Sequence, residues 1–323
     1  MKSKKILVAG GTGTIGCQLV PKLLARGHDL TVVSLDSETY SKKVLGSNIR
    51  FIKSDLTSFD NCKKVTKGQD EVYNLVGIKG SVGIGESKVA SYFVPMLRFQ
   101  TNLMDAAFIN DVDKYMFVSS ICVYPQSDLH FEDNVWNGMP KQNDRIPGIA
   151  KRVGELQGET YLKEYGWDAV RVIRPSNVYG PYDDFNPSTA QVIPALIGRA
   201  YGGENPLTIW GDGKVIRDFI YSEDVADWMI TAMKKAPPCI PINIGNGKGI
   251  SIKKIAEIIT SRMNPKPKIK WDSMKPSGDP KRLLDLNRAK DLIGFHPKTS
   301  IELGIEKTIE WYKENKSSII NWK

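Results

Sequence analysis

Seven residues near the N-terminus, Gly10-Gly11-Thr12-Gly13-Thr14-Ile15-Gly16, have the type and spacing that cradles phosphate. They satisfy both Gly-x-Gly-x-x-Gly (Gly11, Gly13, Gly16) and Gly-x-x-Gly-x-x-Gly (Gly10, Gly13, Gly16). Glycines here allow a tight turn, close approach of the backbone to a pyrophosphate, and close packing of a helix on a strand. The helix that follows then points free N–H groups and its positive dipole end at the phosphates. The motif follows the apolar run Lys5-Ile-Leu-Val-Ala9 and precedes a helical pattern, which separates a dinucleotide site from a merely tight turn. Gly10, Gly13, Thr14, Ile15 and Gly16 are therefore the candidate pyrophosphate-binding residues.

The end of the second strand should read the adenosine ribose. An acid there favours NAD and an arginine favours NADP. The chain reads Ser34-Leu35-Asp36, so Asp36 is the candidate, two residues beyond the usual place, and NAD and NADP both stay open. Asp55-Leu56, after the third strand, fits an adenine-contacting pair, although an aspartate there also suits an ordinary turn.

The elements that must position these residues alternate. Strand-like runs at 5–9, 30–35, 48–53, 71–76, 114–119 and 169–174 are separated by helical stretches at 20–26, 99–108 and 155–165. This pattern predicts a Rossmann-type, doubly wound α/β fold, a parallel sheet with helices on both faces and right-handed crossovers. Pro21 belongs near a first turn or a bend. After about residue 180 the texture changes: 181–187 is turn-rich, 191–199 helical, and 240–244 a returning strand. The expected organisation is a nucleotide-binding domain over 1–180, with a returning segment near 212–247, and a smaller interleaved C-terminal substrate domain over 181–211 and 248–323.

Composition narrows the class. With 323 residues, 41% hydrophobic and 25% charged, the chain is an ordinary globular protein that can bury a core without staples. Its 4 cysteines include no Cys-x-x-Cys pair and its 3 histidines are far apart, so reduced thiols in a cytoplasmic protein and no metal site are expected. No apolar run is long enough to cross a membrane, and the basic start is too short in its apolar part for a signal peptide. The net charge of +9 is concentrated: residues 251–290 hold eleven Lys/Arg against four Asp/Glu. A solvated basic face or a site for a phosphorylated small molecule fits better than a nucleic-acid patch, which would call for interleaved aromatics.

At Phe117-Val-Ser-Ser120-Ile-Cys122-Val-Tyr124-Pro the chain resembles the extended short-chain dehydrogenase/reductases, the NAD(P)-dependent nucleotide-sugar epimerases, dehydratases and reductases. Further matches are Arg174-Pro-Ser-Asn177-Val-Tyr179-Gly-Pro181, Arg217-Asp-Phe-Ile-Tyr-Ser-Glu-Asp224 and Asn243-Ile-Gly-Asn-Gly247. Within that family the fucose-synthase branch is most similar, through Gly180–Ser188, Val192-Ile-Pro-Ala-Leu196 and Lys275–Asp285, with a looser echo at 79–84. The resemblance implies a nucleotide-diphosphate-sugar substrate with a guanine base, and a homodimer paired through the helices at 99–110 and 155–165. It implies that Ser120 bonds the reacting sugar oxygen, that Cys122 serves epimerisation, and that Lys151 holds the nicotinamide ribose. It also implies that Asn177, Gln191, Arg199, Arg217 and Arg282 line the substrate. Arginine forks suit diphosphates because they bind bidentately.

The chain departs from the family at two proton-handling positions. The family's Tyr-x-x-x-Lys pair places a tyrosine four residues before the lysine, on one helical face. Here Pro147 precedes Lys151, and the fucose synthases' histidine is Gln191. Three expectations follow: an enzyme with a substitute acid/base (Cys122, Tyr124 or a water held by Ser120 and Lys151), chemistry needing less proton transfer, or a non-catalytic binding protein of the same fold. The literal Tyr312-x-x-x-Lys316 is expected to be chance.

Overall fold

Short apolar runs and helical stretches resolve into a seven-stranded sheet in the computed structural model, which describes residues 2–78, 89–275 and 278–319. The strands are β1 (Lys5–Ala9), β2 (Asp29–Ser34), β3 (Arg50–Lys53), β4 (Glu71–Asn74), β5 (Lys114–Val118), β7 (Val170–Pro175) and β12 (Pro241–Ile244), in the order β12-β7-β5-β4-β1-β2-β3. Every pairing in it is parallel. Successive side chains of a strand point to opposite faces, and both faces are covered. Ile6 and Val8 therefore enter one core with Leu19, Val20 and Met229, while Leu7 and Ala9 enter the other with Cys62, Leu103 and Ala150. The sequence at 240–244 does return to this sheet, beside β7.

The helices are α1 (Gly16–Leu24), α2 (Glu38–Leu45), α3 (Phe59–Thr66), α4 (Val89–Ile109), α5 (Arg145–Tyr165), α6 (Val192–Tyr201), α7 (Ser222–Lys235), α8 (Ile252–Ser261), α9 (Asn287–Ile293) and α10 (Ile301–Ile319). Three begin earlier than their sequence suggests. α1 starts at Gly16 and carries Pro21 inside it, because the glycine loop nucleates the helix: Cys17 N donates to Gly13 O at 2.9 Å. α4 spans Pro95 rather than starting at Phe99. α5 starts ten residues before Glu155, through a stretch whose glycines disfavour helix on propensity alone. Those glycines are packing requirements. A Cβ at Gly154 would lie 2.3 Å from the Phe117 ring, and one at Gly148 would lie 2.2 Å from Cys122 O.

A smaller lobe faces the strand C-termini. Its four-stranded sheet runs β13-β10-β15-β6, from β6 (Leu129–His130), β10 (Ile216–Arg217), β13 (Ile250–Ser251) and β15 (Lys281–Leu284). Two further pairs, β8 (Asn177–Tyr179) with β11 (Phe219–Tyr221) and β9 (Leu207–Trp210) with β14 (Ile269–Asp272), complete it over a third core that includes Ile193, Ile255 and Ile305. The smaller lobe takes β6 and β10, and with them the three-residue β8 and β11, from stretches expected in the first domain. Strands this short leave no compositional mark by which to assign them.

Candidate active site

The strand order places β1 between β2 and β4, so the chain diverges at the C-terminal end of β1, where open α/β sheets bind ligands. The glycine loop occupies that point. Gly10 has φ +77° and lies against the backbone of Leu75 and Val76, each 3.1 Å from where a Cβ would sit. A Cβ at Gly16 would be 2.4 Å from Gly11 O, so no other residue fits between loop and helix. At Gly13 a Cβ would meet only Gly10 O, at 3.5 Å, which leaves its outer side clear for close approach of a pyrophosphate. Asp36 is exposed, and its carboxylate accepts from Thr12 Oγ1 at 2.5 Å and Ser34 Oγ at 3.2 Å. Thr12 thus ties the acid to the glycine loop despite its displacement along the chain. Asp55 caps a turn by accepting from Thr57 N at 2.8 Å, and the Leu56 side chain is buried in the core, so only the backbone of Leu56 is placed for an adenine contact.

The loop after β5 forms the next wall. Ser120 Oγ accepts from Cys122 N at 3.2 Å, leaving its own proton to donate. Cys122 Sγ donates to Asp144 Oδ1 at 3.5 Å, and Asp144 Oδ2 accepts from Arg282 at 2.6 Å. Arg282 also donates to Ile121 O at 2.8 Å. Burial, reinforced by Asp144 and opposed by Arg282, pushes the Cys122 thiol up to about 11, so it is a proton donor rather than a thiolate at neutral pH.

Lys151 projects from α5 and is only 8% exposed, its ammonium 5.2 Å from the centroid of the Phe117 ring. Burial pushes it down to about 8, against the pull of Glu155 and Cys122. Pro147 is the third residue of α5, in the first turn where a missing N–H is tolerated. Behind this wall a buried network locks α5 to β7. Arg174 donates to Glu155 at 3.0 and 2.5 Å, to Tyr124 Oη at 2.9 Å and to Glu132 O at 2.8 Å, and Tyr124 Oη donates to Asn243 at 2.6 Å. Tyr124, 1% exposed, is thereby a framework residue and not the substitute acid.

Across the cleft, Arg217 and Arg282 are direct cross-strand partners on β10 and β15. Arg217 donates to Asp279 O at 2.8 Å, and Asp279 pairs with Lys141 at 2.7 Å. Asn177 donates to Asp218 O at 2.6 Å, and the Asp218 carboxylate clamps the loop after β12 through Asn246 N and Gly247 N at 2.7 and 3.1 Å. Arg199 is not offered to this cleft: its fork is taken by Glu204 at 2.7 and 2.5 Å, together with Thr208 O. Gln191 is exposed at the N-cap position of α6. Tyr312 packs in the third core, while Lys316 donates to Tyr201 O at 2.7 Å, so that pair is structural. The sequence echo at 79–84 and residues 276–277 lie outside the described residues.

Sequence reasoning missed Asp144, Glu155 and His130. His130 is 3% exposed, stacks on Tyr124 with 4.8 Å between ring centroids, and is pushed down to about 4 by burial and then by Arg282. Only tertiary contacts bring Asp144 to Cys122 and Arg282 and set Glu155 and His130 in the buried network behind them, so no local motif marks them. Of the basic segment, Arg282 faces the cleft, Arg262 and Arg288 pair with Glu306 and Asp133, and Lys253, Lys254, Lys266 and Lys270 are exposed. Among the described residues no group of three or more metal-ligating side chains occurs, and no helix is long and apolar enough to cross a membrane.

Comparison with known proteins gives the family and the fold. The chain is 30% identical over 322 residues to a putative GDP-L-fucose synthase 2 of Arabidopsis thaliana, covering 97% of this chain and 93% of the relative. It is 29% identical over 330 residues to GDP-L-fucose synthase of Escherichia coli strain K12, covering 98% of each. The solved UDP-glucose 4-epimerase of Thermotoga maritima superposes with a TM-score of 0.86 at 26% identity, over 97% of this chain and 99% of that one. Residues 6–245 match the NAD dependent epimerase/dehydratase family, to which the chain belongs.

Proposed function

We propose that the chain is an NAD(P)-dependent oxidoreductase or epimerase acting on a nucleotide-diphosphate sugar, with GDP as the nucleotide. The observation that carries this reading is the convergence at one cleft of a glycine loop open at Gly13, a wall of Ser120, Cys122 and Lys151, and the paired Arg217 and Arg282 opposite. The full-length relatives named as GDP-L-fucose synthases support the GDP choice.

A nicotinamide dinucleotide, when bound, supplies or accepts the hydride. The glycine loop and the start of α1 hold its pyrophosphate, and Lys151 holds its ribose. Ser120 donates a hydrogen bond to the reacting sugar oxygen. In an epimerisation Cys122, protonated and aimed by Asp144, returns a proton to one face of a carbon that water has deprotonated on the other face, and regains its own proton from water. Arg217 is the fork for the diphosphate, and Arg282, bonded to Asp144 and Ile121 O, adds its charge beside it. Asp36, fixed to the glycine loop, accepts from a ribose 2′-hydroxyl and repels a 2′-phosphate, which favours NAD(H) over NADP(H). Pro147 and Gln191 favour a second reading, a binding protein of the same fold without turnover.

The assembly is a cytoplasmic homodimer through α4 and α5, which expose Val94, Ile109, Val153, Leu156 and Tyr165 at 36–55%. The deciding experiment is calorimetry with NAD⁺, NADH, NADP⁺ and NADPH, followed by turnover scanned across GDP-, UDP- and dTDP-sugars. Binding of none of the four by folded protein sinks the dinucleotide reading; binding of cofactor and sugar without turnover leaves the second reading.

A further inference from the structure

Acid/base chemistry at this cleft needs a hydroxyl that α5 does not provide. Tyr124 is committed to Arg174 and Asn243, and Cys122 is assigned above to carbon and not to the sugar oxygen. Tyr92, in the first turn of α4, is half-buried, and two placements set its end of α4 beside the N-terminal end of α5.

The first placement is the sheet edge. β4 and β5 are neighbours in the register Asn74↔Phe117, so the chain leaving β4 through Ile78 runs beside the chain leaving β5 through Ser120. On its other side that exit lies against Gly10. Tyr92 Oη donates to Ile78 O at 2.6 Å and is thus anchored between the glycine loop and Ser120. The second is the packing of α4 on α5. Gln100 Nε2 donates to Ala150 O, Gln157 Nε2 to Thr101 O at 3.0 Å, and Tyr161 Oη to Asp105 at 2.8 Å, so the two helices run in the same direction. The contacts Thr101 with Gln157 and Asp105 with Tyr161 share an offset of 56 residues, which carries Tyr92 to the level of Gly148, next to Pro147. Consistent with this, burial pushes the Tyr92 phenol up to about 12, and Cys122 and Asp144 push it the same way.

We propose that Tyr92 is the proton donor to the sugar oxygen, replacing from α4 the phenol that Pro147 removes from α5. The proposal rests on the oxidoreductase reading above. In reduction of a keto sugar, the carbonyl π bond breaks as its carbon takes the hydride supplied by a reduced nicotinamide and its oxygen takes the Tyr92 proton. The sugar leaves as an alcohol, the nicotinamide leaves oxidised, and the phenolate regains a proton from water. Lys151, on the same cleft wall, favours that transient phenolate.

The test uses the full chain with 3,5-difluorotyrosine in place of Tyr92, whose more acidic phenol brings its ionisation into an accessible range, followed by fluorine NMR. Binding of NAD⁺ or NADP⁺, verified by calorimetry, should lower the phenol's midpoint by about one pH unit or more, since a positive ring nearby stabilises phenolate. In parallel, Tyr92→Phe should slow keto-sugar reduction on the order of 10²–10⁴-fold while leaving cofactor affinity nearly unchanged, and adding Pro147→Tyr to that variant should restore part of the rate. Cofactor binding with an unmoved midpoint, or undiminished reduction by Tyr92→Phe, overturns the role of Tyr92 alone and leaves it a clamp on Ile78. Failure to bind any cofactor form overturns the oxidoreductase reading, and this proposal with it.

Discussion

Replacing Lys151 by methionine should make the protein more stable at neutral pH, by an amount that shrinks as the pH rises. Lys151 is 8% exposed, and burial lowers its ionisation from the ordinary 10.5 to about 8. At about 1.4 kcal/mol per pH unit, that gap converts to roughly 3 kcal/mol spent holding a buried charge. The sign follows from proton counts. Below about 8 both folded and unfolded chains carry the proton, and the folded state bears the full penalty. Between about 8 and the unfolded value near 10.4, the unfolded chain binds more protons, so wild-type stability rises with pH until the penalty is gone. Packing differences between lysine and methionine do not depend on pH and cancel in the comparison. Urea unfolding of both proteins from pH 7 to 9.5 should show the stability gap closing by roughly 2 kcal/mol. A gap constant across that range would refute the claim that Lys151 is held charged against its surroundings, and with it the view that this lysine is kept for a ligand at the expense of stability.

Four further outcomes are expected. Gly16→Ala should abolish dinucleotide binding in calorimetry, because its Cβ would press on backbone at Gly11 that cannot yield without opening the loop. Glu155→Gln should destabilise the fold by about 3–5 kcal/mol in denaturant titration, since it leaves the Arg174 charge buried without its partner; a loss below about 1 kcal/mol would contradict the buried network. Asp144→Asn should lower the Cys122 ionisation from about 11, because the neighbouring Arg282 would then act unopposed, and iodoacetamide labelling of Cys122 at pH 8 should quicken. Leu156→Glu should convert a dimer to a monomer in light scattering at micromolar concentration, while a wild type that is already monomeric would refute the α4–α5 interface.

The sequence determined the features that depend on neighbours along the chain. The glycine spacing fixes a phosphate-binding turn because Gly10 must adopt positive φ and Gly16 must pack without a Cβ. The alternation of apolar runs and helices fixes a parallel sheet covered on both faces. The place of Pro147 relative to Lys151 was readable for the same reason, since four residues are one turn of helix. What the sequence misplaced were helix starts: propensity argues against the glycines of α5 and the prolines of α1 and α4, whereas packing against Phe117 and Cys122 requires the glycines of α5. Only the tertiary structure decided which charged groups meet. Arg199 and Arg282 look alike as candidates, yet one is consumed by Glu204, five residues away, and the other reaches Asp144 across 138 residues. Asp36 lies beyond the usual ribose position, and a hydrogen bond from Thr12 brings it back. Tyr92 carries no motif at all; its bond to the chain leaving β4 is set by the packing of α4 alongside α5 and the pairing of β4 with β5. Local rules fix turns and periodicity, whereas the meeting of side chains far apart in sequence is set by packing of the whole chain.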